Sequence, residues 1–345
     1  MKELTMTKPV LIIAEAGVNH NGSVVLAKQL IDAAADAGVD YVKFQTWITE
    51  DIIDINAPKA QYQLNNDGNS SQFEMLKRLE LSFDDFRELK RYCGKAGVKF
   101  LSTPDDYRSL DFLADELQLA LIKVGSGEVT NIPFLRRIGA KRKDIILSTG
   151  MATLEEVKVA YGTLKQAGAE SITLLHCTSN YPAPYDSINL KAMLHIKDVF
   201  GADVGYSDHT MGNEVALAAV ALGAVVIEKH FTTDVNLPGP DHKASMSPEE
   251  LKSLVLQIRH IEQALSGDGI KSPHASELET KKVVSRGIYL NRDVQAGEVI
   301  THNMLIMKRP VGEVPAGMYD QVIGKKIRNT LKKGTALKLK DISID

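Results

Sequence analysis

The chain has 345 residues, with 41 Lys+Arg against 44 Asp+Glu, a formal net charge of −3, 44% hydrophobic and 25% charged residues. These are globular proportions, and they leave no cation excess for broad nucleic-acid binding. No run approaches the roughly 20 apolar residues that cross a bilayer, and two cysteines, Cys93 and Cys177, are too few for a disulfide framework. The stretch Met1–Pro9 has no separate apolar core or cleavage site, so no signal peptide is expected. The expectation is a cytoplasmic protein with neither a membrane nor a nucleic-acid partner.

In chain order, short β-branched apolar runs alternate with helical periods. The strand candidates are Val10–Ala14, Tyr41–Phe44, Lys99–Leu101, Leu121–Val124, Ile145–Leu147, Ile172–Leu175, Val204–Tyr206 and Val225–Ile227. Continuous apolar runs suit strands covered on both faces. About eight such units predict an α/β fold, a (β/α)8 TIM barrel. Helix signals agree: Ala33–Ala37 ends at Gly38, Thr153 with Glu155 and Glu156 opens a helix that Gly168 stops, and Ser247–Pro248 opens another. A polar loop is expected over Asn65–Gln72. The alternation ends near Gly267. The expected division is a barrel over 1–267, a polar linker over 268–281 and a small β-rich domain over 282–345, with strands at Ile288–Leu290, Val299–Ile300 and Leu337–Leu339.

Barrel chemistry stands at the C-terminal ends of strands, and here those ends are polar: Glu15 with Asn19–Gly22, then Lys43 and Gln45, Ser102–Pro104, Lys123 with Ser126–Glu128, Ser148–Gly150, His176 with Thr178 and Tyr181, Ser207–His209, and Glu228–His230. A single polar strand end is commonly a solvated one; eight converging on one mouth point to a site. Period-two alternation turns Lys43 and Gln45 the same way, into the barrel. A buried lysine is costly unless paired. Lys43 and Lys123 therefore read as structural partners of Glu15 or Glu128, as an anion clamp, or as a Schiff-base amine. His209 and His230 end neighbouring strands. Each alone reads as a core histidine, but with Asp208, Glu228 and Asp241 near they read as ligands of Mn2+ or Mg2+, with positions open for substrate oxygens. No cysteine accompanies them, so a closed zinc site is not expected. Small-residue turns at Ser126–Glu128 and Ser148–Met151 offer backbone N–H groups to phosphate.

Several long motifs, in order, resemble the sialic acid synthase family (N-acetylneuraminate and legionaminic acid synthases): Ile13–Gly22, Val42–Thr46, Lys123–Glu128, Ser148–Met151, Gly205–His209 and Ile227–Phe231. Lys308–Pro310 resembles part of the antifreeze-like (SAF) domain that follows the barrel there. The resemblance spans essentially the whole chain. It implies condensation of phosphoenolpyruvate with an N-acetylated hexosamine to a nine-carbon 2-keto acid and phosphate. By motif, Lys43, Lys123, Ser126, Ser148 and Ser207 would bind phosphoenolpyruvate, and His209 and His230 the metal. Gln45, Glu128, Tyr181 and Asp241 would contact the sugar, and Arg309 would reach its acyl group from the partner chain of a homodimer. Glu15 or Glu228 would orient the attacking water or move its proton. Ser179 departs from the Asn of some relatives, and Asp105 from their usual Phe. N-acetylmannosamine, giving N-acetylneuraminate, is the first expected acceptor and 2,4-diacetamido-2,4,6-trideoxymannose, giving legionaminate, the second. A Schiff-base aldolase and a non-enzymatic carbohydrate- or ice-binding protein are the alternatives from other classes.

Overall fold

The computed structural model describes residues 8–59, 64 and 71–343. The chain divides into two compact units, Met1–Asp268 and Gly269–Asp345. In the first, eight parallel strands follow one another: β1 Leu11–Gly17, β2 Tyr41–Thr46, β3 Lys99–Pro104, β4 Leu121–Val124, β5 Asp144–Ser148, β6 Ser171–Cys177, β7 Val204–Asp208 and β8 Val226–His230. Their hydrogen-bonded order is β3-β2-β1-β8-β7-β6-β5-β4. β3 and β4, the two ends of that order, lie against each other and nearly close a TIM-like barrel.

Helical segments follow each strand, and their ends obey the local signals. Thr153 and Glu156 form a capping box at Leu154–Ala167, and Gly168 ends that helix at φ 113°. Ser247 and Glu250 do the same for Pro248–Ala264. Most of the expected polar loop lies outside the described residues. Its last two positions are the cap and the first residue of a helix: Ser71 caps Gln72–Leu79 through a reciprocal bond with Glu74.

The outward strand faces and the helices bury one large core, in which Phe44, Phe86 and Phe100 group. Inside the barrel a second, smaller hydrocarbon layer is built from Ile13, Leu101, Ile146, Leu175 and Val226. Gly205 lies at this level on β7. A Cβ there would meet the Val226 carbonyl oxygen at 2.4 Å and Leu175 Cδ2 at 2.7 Å. The backbones approach closely because no side chain intervenes.

The second unit has its own core, including Ile288, Leu290, Ile300, Val314 and Leu337. It bears out the expected strand at Ile288–Leu290 and corrects the other two. Among the described residues only β9 Gly287–Leu290 and β10 Leu305–Lys308 form a ladder, which is antiparallel. Val299 makes an isolated bridge to Lys326, and Leu339 opens a short 3-10 turn. β10 carries no alternation that would have flagged it. The expected linker is partly helical: His274 and Glu277 cap one another, and Leu278–Val284 follows as an exposed helix. Its Leu, Glu and Lys residues are good helix formers.

Two glycines give opposite expectations for stability. Gly205→Ala should cost about 1–3 kcal/mol by overpacking. Gly162→Ala, in an open position on Leu154–Ala167, should gain about 0.5–1 kcal/mol. Denaturant midpoints of the two variants check both signs.

Candidate active site

Two residues beyond the hydrocarbon layer, every strand contributes one side chain to a cavity of about 390 Å³: Glu15, Lys43, Thr103, Lys123, Ser148, Cys177, Ser207 and Glu228. The alternation of a strand dictates this, since i and i+2 face the same way. Ile13 is followed by Glu15, Leu101 by Thr103, Ile146 by Ser148 and Val226 by Glu228. The layer is ionic. Lys43 Nζ lies 2.6 Å from Glu15 and 3.6 Å from Glu228, and Lys123 Nζ lies 3.5 Å from Glu228. Lys43 also donates to Thr103 Oγ1 at 3.1 Å, Gln45 donates to Glu15 at 3.0 Å, and Ser207 donates to Glu228 at 2.9 Å. All four charged groups are at most 5% exposed. Charges so buried persist only when paired.

The two glutamates are held in opposite states. Burial, aided by the Glu228 carboxylate, pushes Glu15 from its ordinary 4.5 up to about 7, against the pull of Lys43. Burial works on Glu228 too, but the ammoniums of Lys123 and Lys43 and the Ser207 hydroxyl overcome it and hold that carboxyl at about 2. For Lys43, burial is outweighed by Glu15 and Glu228, which keep it protonated. For Lys123 burial prevails and its pKa falls.

Around the ends of β4 and β5 the cavity has a cradle of hydroxyls. Ser126 Oγ accepts from the Gly150 N–H at 2.9 Å. The Ser148 hydroxyl is buried with no hydrogen-bond partner, although it lines the cavity. Ser179 lines the same wall, its hydroxyl 2.3 Å from where a Gly150 Cβ would stand, so only glycine leaves the cradle open.

His209 and His230 come together with ring centroids 5.4 Å apart, and the Tyr181 ring lies 4.1 Å from that of His209. His209 Nδ1 is 2.8 Å from the Thr178 carbonyl. A carbonyl only accepts, so Nδ1 carries the hydrogen and Nε2 keeps its lone pair. His230 Nδ1 is buried without a hydrogen bond, 3.8 Å from Asp241. Burial lowers the pKa of both imidazoles, which favours the neutral form a metal needs. Among the described residues no three His, Cys, Asp or Glu side chains group to hold a metal by themselves. The pair thus suits a divalent ion that takes its other oxygens from substrate and water.

Asp208, which the sequence grouped with this pair, turns the other way. It is one residue out of phase with Ser207 and so faces the helix layer. There it pairs with Lys229 at 2.7 Å and accepts from the Thr210 backbone N–H at 2.9 Å. Lys229 also donates to the Thr210 carbonyl at 2.6 Å, so both residues brace the backbone around His209. Glu128 and Asp241 stand beside the cavity rather than in its lining. Glu128 accepts from Asn131 at 2.6 Å, and burial raises Asp241 to about 6. Arg309 is exposed in the second unit, directly after β10. Sequence reasoning passed over Cys177, whose side chain joins the polar layer. It noticed Asp105 only as a departure. Asp105 is half-buried in the lining, and burial and nearby Glu128 raise it to about 7. The inward phase of β3 through Leu101 and Thr103 was a signal for it.

A barrel whose mouth carries a buried ion lattice, a hydroxyl cradle and a histidine pair belongs to a known class. Residues 30–271 match the NeuB family and residues 285–343 the SAF domain. The chain is 50% identical to the N,N'-diacetyllegionaminic acid synthase of Campylobacter jejuni over 92% of its own length and 96% of that protein's. It is 47% identical to the Legionella pneumophila protein of the same name, covering 94% and 92%. The crystal structure of N-acetylneuraminic acid synthetase from Leptospira borgpetersenii superposes with a TM-score of 0.69 at 36% identity, covering 79% of this chain and 90% of that one. The chain belongs to the NeuB family.

The split glutamates predict a pH effect on stability. Between about pH 4.5 and 7 the folded chain keeps a proton on Glu15 that the unfolded chain releases, so wild-type stability falls as pH rises through that window. Glu15→Gln lacks this loss. Its stability relative to wild type should rise over the window by up to about 3 kcal/mol, measured by urea unfolding at several pH values.

Proposed function

We propose that this protein condenses phosphoenolpyruvate with an N-acetylated amino sugar and water, giving a nine-carbon 2-keto sugar acid and phosphate. The observation that carries the reading is the pair of buried lysines beside unpartnered Ser148 and the Ser126–Gly150 cradle. Such a site suits a small, multiply charged anion. The acceptor is 2,4-diacetamido-2,4,6-trideoxymannose and the product N,N'-diacetyllegionaminate. The two legionaminic acid synthases at 50% and 47% identity support this choice over N-acetylmannosamine, the sequence's first expectation.

Lys43 and Lys123 bind the phosphate and carboxylate and stay out of the bonds being made. The Ser126, Ser148 and Ser207 hydroxyls orient the same anion. Gln45 and Tyr181 meet the open-chain sugar, with Glu128 and Asp241 at its edge. C3 of phosphoenolpyruvate bonds to the aldehyde carbon, and positive charge develops at C2. Glu228, ionised at any physiological pH, faces that charge. Water adds at C2, and Glu15, poised near neutrality, moves its proton. The tetrahedral intermediate then expels phosphate by C–O cleavage. One proton of the water ends on the new hydroxyl and the other leaves with phosphate. His209 and His230 would hold Mn2+ or Mg2+, which supplies Lewis-acid polarisation of the aldehyde oxygen. The ion pairs that keep Lys43 protonated speak against a Schiff base there. A purely carbohydrate-binding scaffold has no use for a buried ionic layer.

Phosphate release from phosphoenolpyruvate is the test. Release should need a sugar and proceed faster with the diacetamido sugar than with N-acetylmannosamine. Absence of release with every N-acetylated sugar defeats the proposal. Chelation should abolish turnover, with Mn2+ or Mg2+ restoring it. His209→Ala and His230→Ala should each weaken Mn2+ binding, read by electron paramagnetic resonance, at least about tenfold.

A further inference from the structure

We infer that Asn21 and His242 clamp the loop after β1 to the loop after β8, and that they are positioning residues for Asp241 at the sugar's edge of the site. The inference rests on the condensation reading above, which gives Asp241 its part. It starts from Asn19–Gly22, a polar strand end whose side chains stay out of the cavity lining. The loop over 232–246 leaves β8 just after His230. Its two ends are tied together: the Thr232 N–H donates to the Met246 carbonyl, and the Met246 N–H to the His230 carbonyl, both at 2.9 Å. Asp241 lies inside this loop, its carboxylate 3.8 Å from His230 Nδ1.

Side chains of the β1 loop reach across to it. Asn21 Nδ2 donates to the Pro238 carbonyl at 2.9 Å, and Asn21 Oδ1 lies 3.2 Å from His242 Nε2. An amide oxygen only accepts, so Nε2 carries the ring's hydrogen. Nδ1 then accepts from the Thr232 hydroxyl at 2.7 Å. Burial lowers His242 to about 4, so near neutral pH the ring is uncharged and keeps this tautomer. Asn19 adds a second tie. Its Nδ2 donates to the Phe231 carbonyl at 2.8 Å and to Ser245 Oγ at 2.9 Å, and Ser245 Oγ donates to the Asp241 carbonyl at 2.8 Å. Gly239 lets the clamp close. Its φ is 150°, and a Cβ there would stand 2.8 Å from both Asn21 Oδ1 and His242 Cδ2. Polar bonds buried in this way fix one arrangement of the backbone. Neither Asn21 nor His242 lines the cavity, so both act through Asp241 and not on substrate.

The test uses the whole protein. Asn21→Ala and His242→Leu each open the clamp. In calorimetry without sugar, both variants should bind phosphoenolpyruvate within about twofold of wild type, because the clamp puts no side chain in the cavity. In the phosphate-release assay, with whichever N-acetylated sugar turns over, kcat/KM for the sugar should fall at least about tenfold. His242→Gln, which offers a donor and an acceptor in place of the two ring nitrogens, should recover most of that loss. The two changes share one bond, so combining them should cost little more than the worse one alone. Equal losses in phosphoenolpyruvate affinity and in sugar use, the mark of a merely structural role, overturn the inference. If His242→Leu fails to fold, Asn21→Ala, at a half-buried position, decides alone. Wild type that releases no phosphate with any N-acetylated sugar defeats the condensation reading and this inference with it. Release by wild type that a folded Asn21→Ala matches overturns the inference alone.

Discussion

Two ammonium and two carboxylate groups are buried together one pleat above the hydrocarbon filling of a barrel, and each is tolerable only because of the others. Lys43 touches both Glu15 and Glu228, and Lys123 touches Glu228. Removing any one would leave a neighbouring charge uncompensated at a buried position, which costs about 3–5 kcal/mol. The cost of gathering them is borne by the rest of the fold. The large outer core under the helices fixes the strands, and the strands fix the height of each side chain.

Strand phase turns a stability problem into a chemical one. The same two-residue step that takes Ile13 to Glu15 and Val226 to Glu228 happens on all eight strands. The cavity therefore receives one such side chain from each of the eight strands and excludes the intervening residues. Asp208 and Lys229 show the exclusion: they form an equally buried pair on the other side of the sheet, where they brace the backbone beside His209. Within the cavity, position relative to the lysines separates two chemically identical glutamates. Glu228 sits between both ammoniums and stays ionised. Glu15 has one ammonium partner and a carboxylate neighbour, and it titrates near neutrality.

Much of this was legible in the residues. The eight apolar runs announced the barrel, and the polar groups after each run marked the mouth. His209 and His230 do meet, as their places on adjacent strand ends imply. What was not legible depended on direction or on charge sums in space. Asp208 looked like a companion of the histidines until its phase on β7 turned it outward. Cys177 drew no attention because its type is apolar, yet its phase puts it in the ionic layer. The choice between Glu15 and Glu228 needed distances to two lysines from other strands. In the second unit, Leu305–Lys308 lacks any alternation, and its strand exists only because Gly287–Leu290 lies beside it.

The account stands on the claim that the lysine–glutamate lattice is an anion site for phosphoenolpyruvate. Calorimetric titration with phosphoenolpyruvate, without sugar, addresses it directly. Wild type should bind one molecule per chain, and Lys43→Met and Lys123→Met should each weaken that binding at least about tenfold, the scale of a lost hydrogen bond to a charged group. No binding by wild type, or unchanged affinity in two folded variants, would contradict the claim.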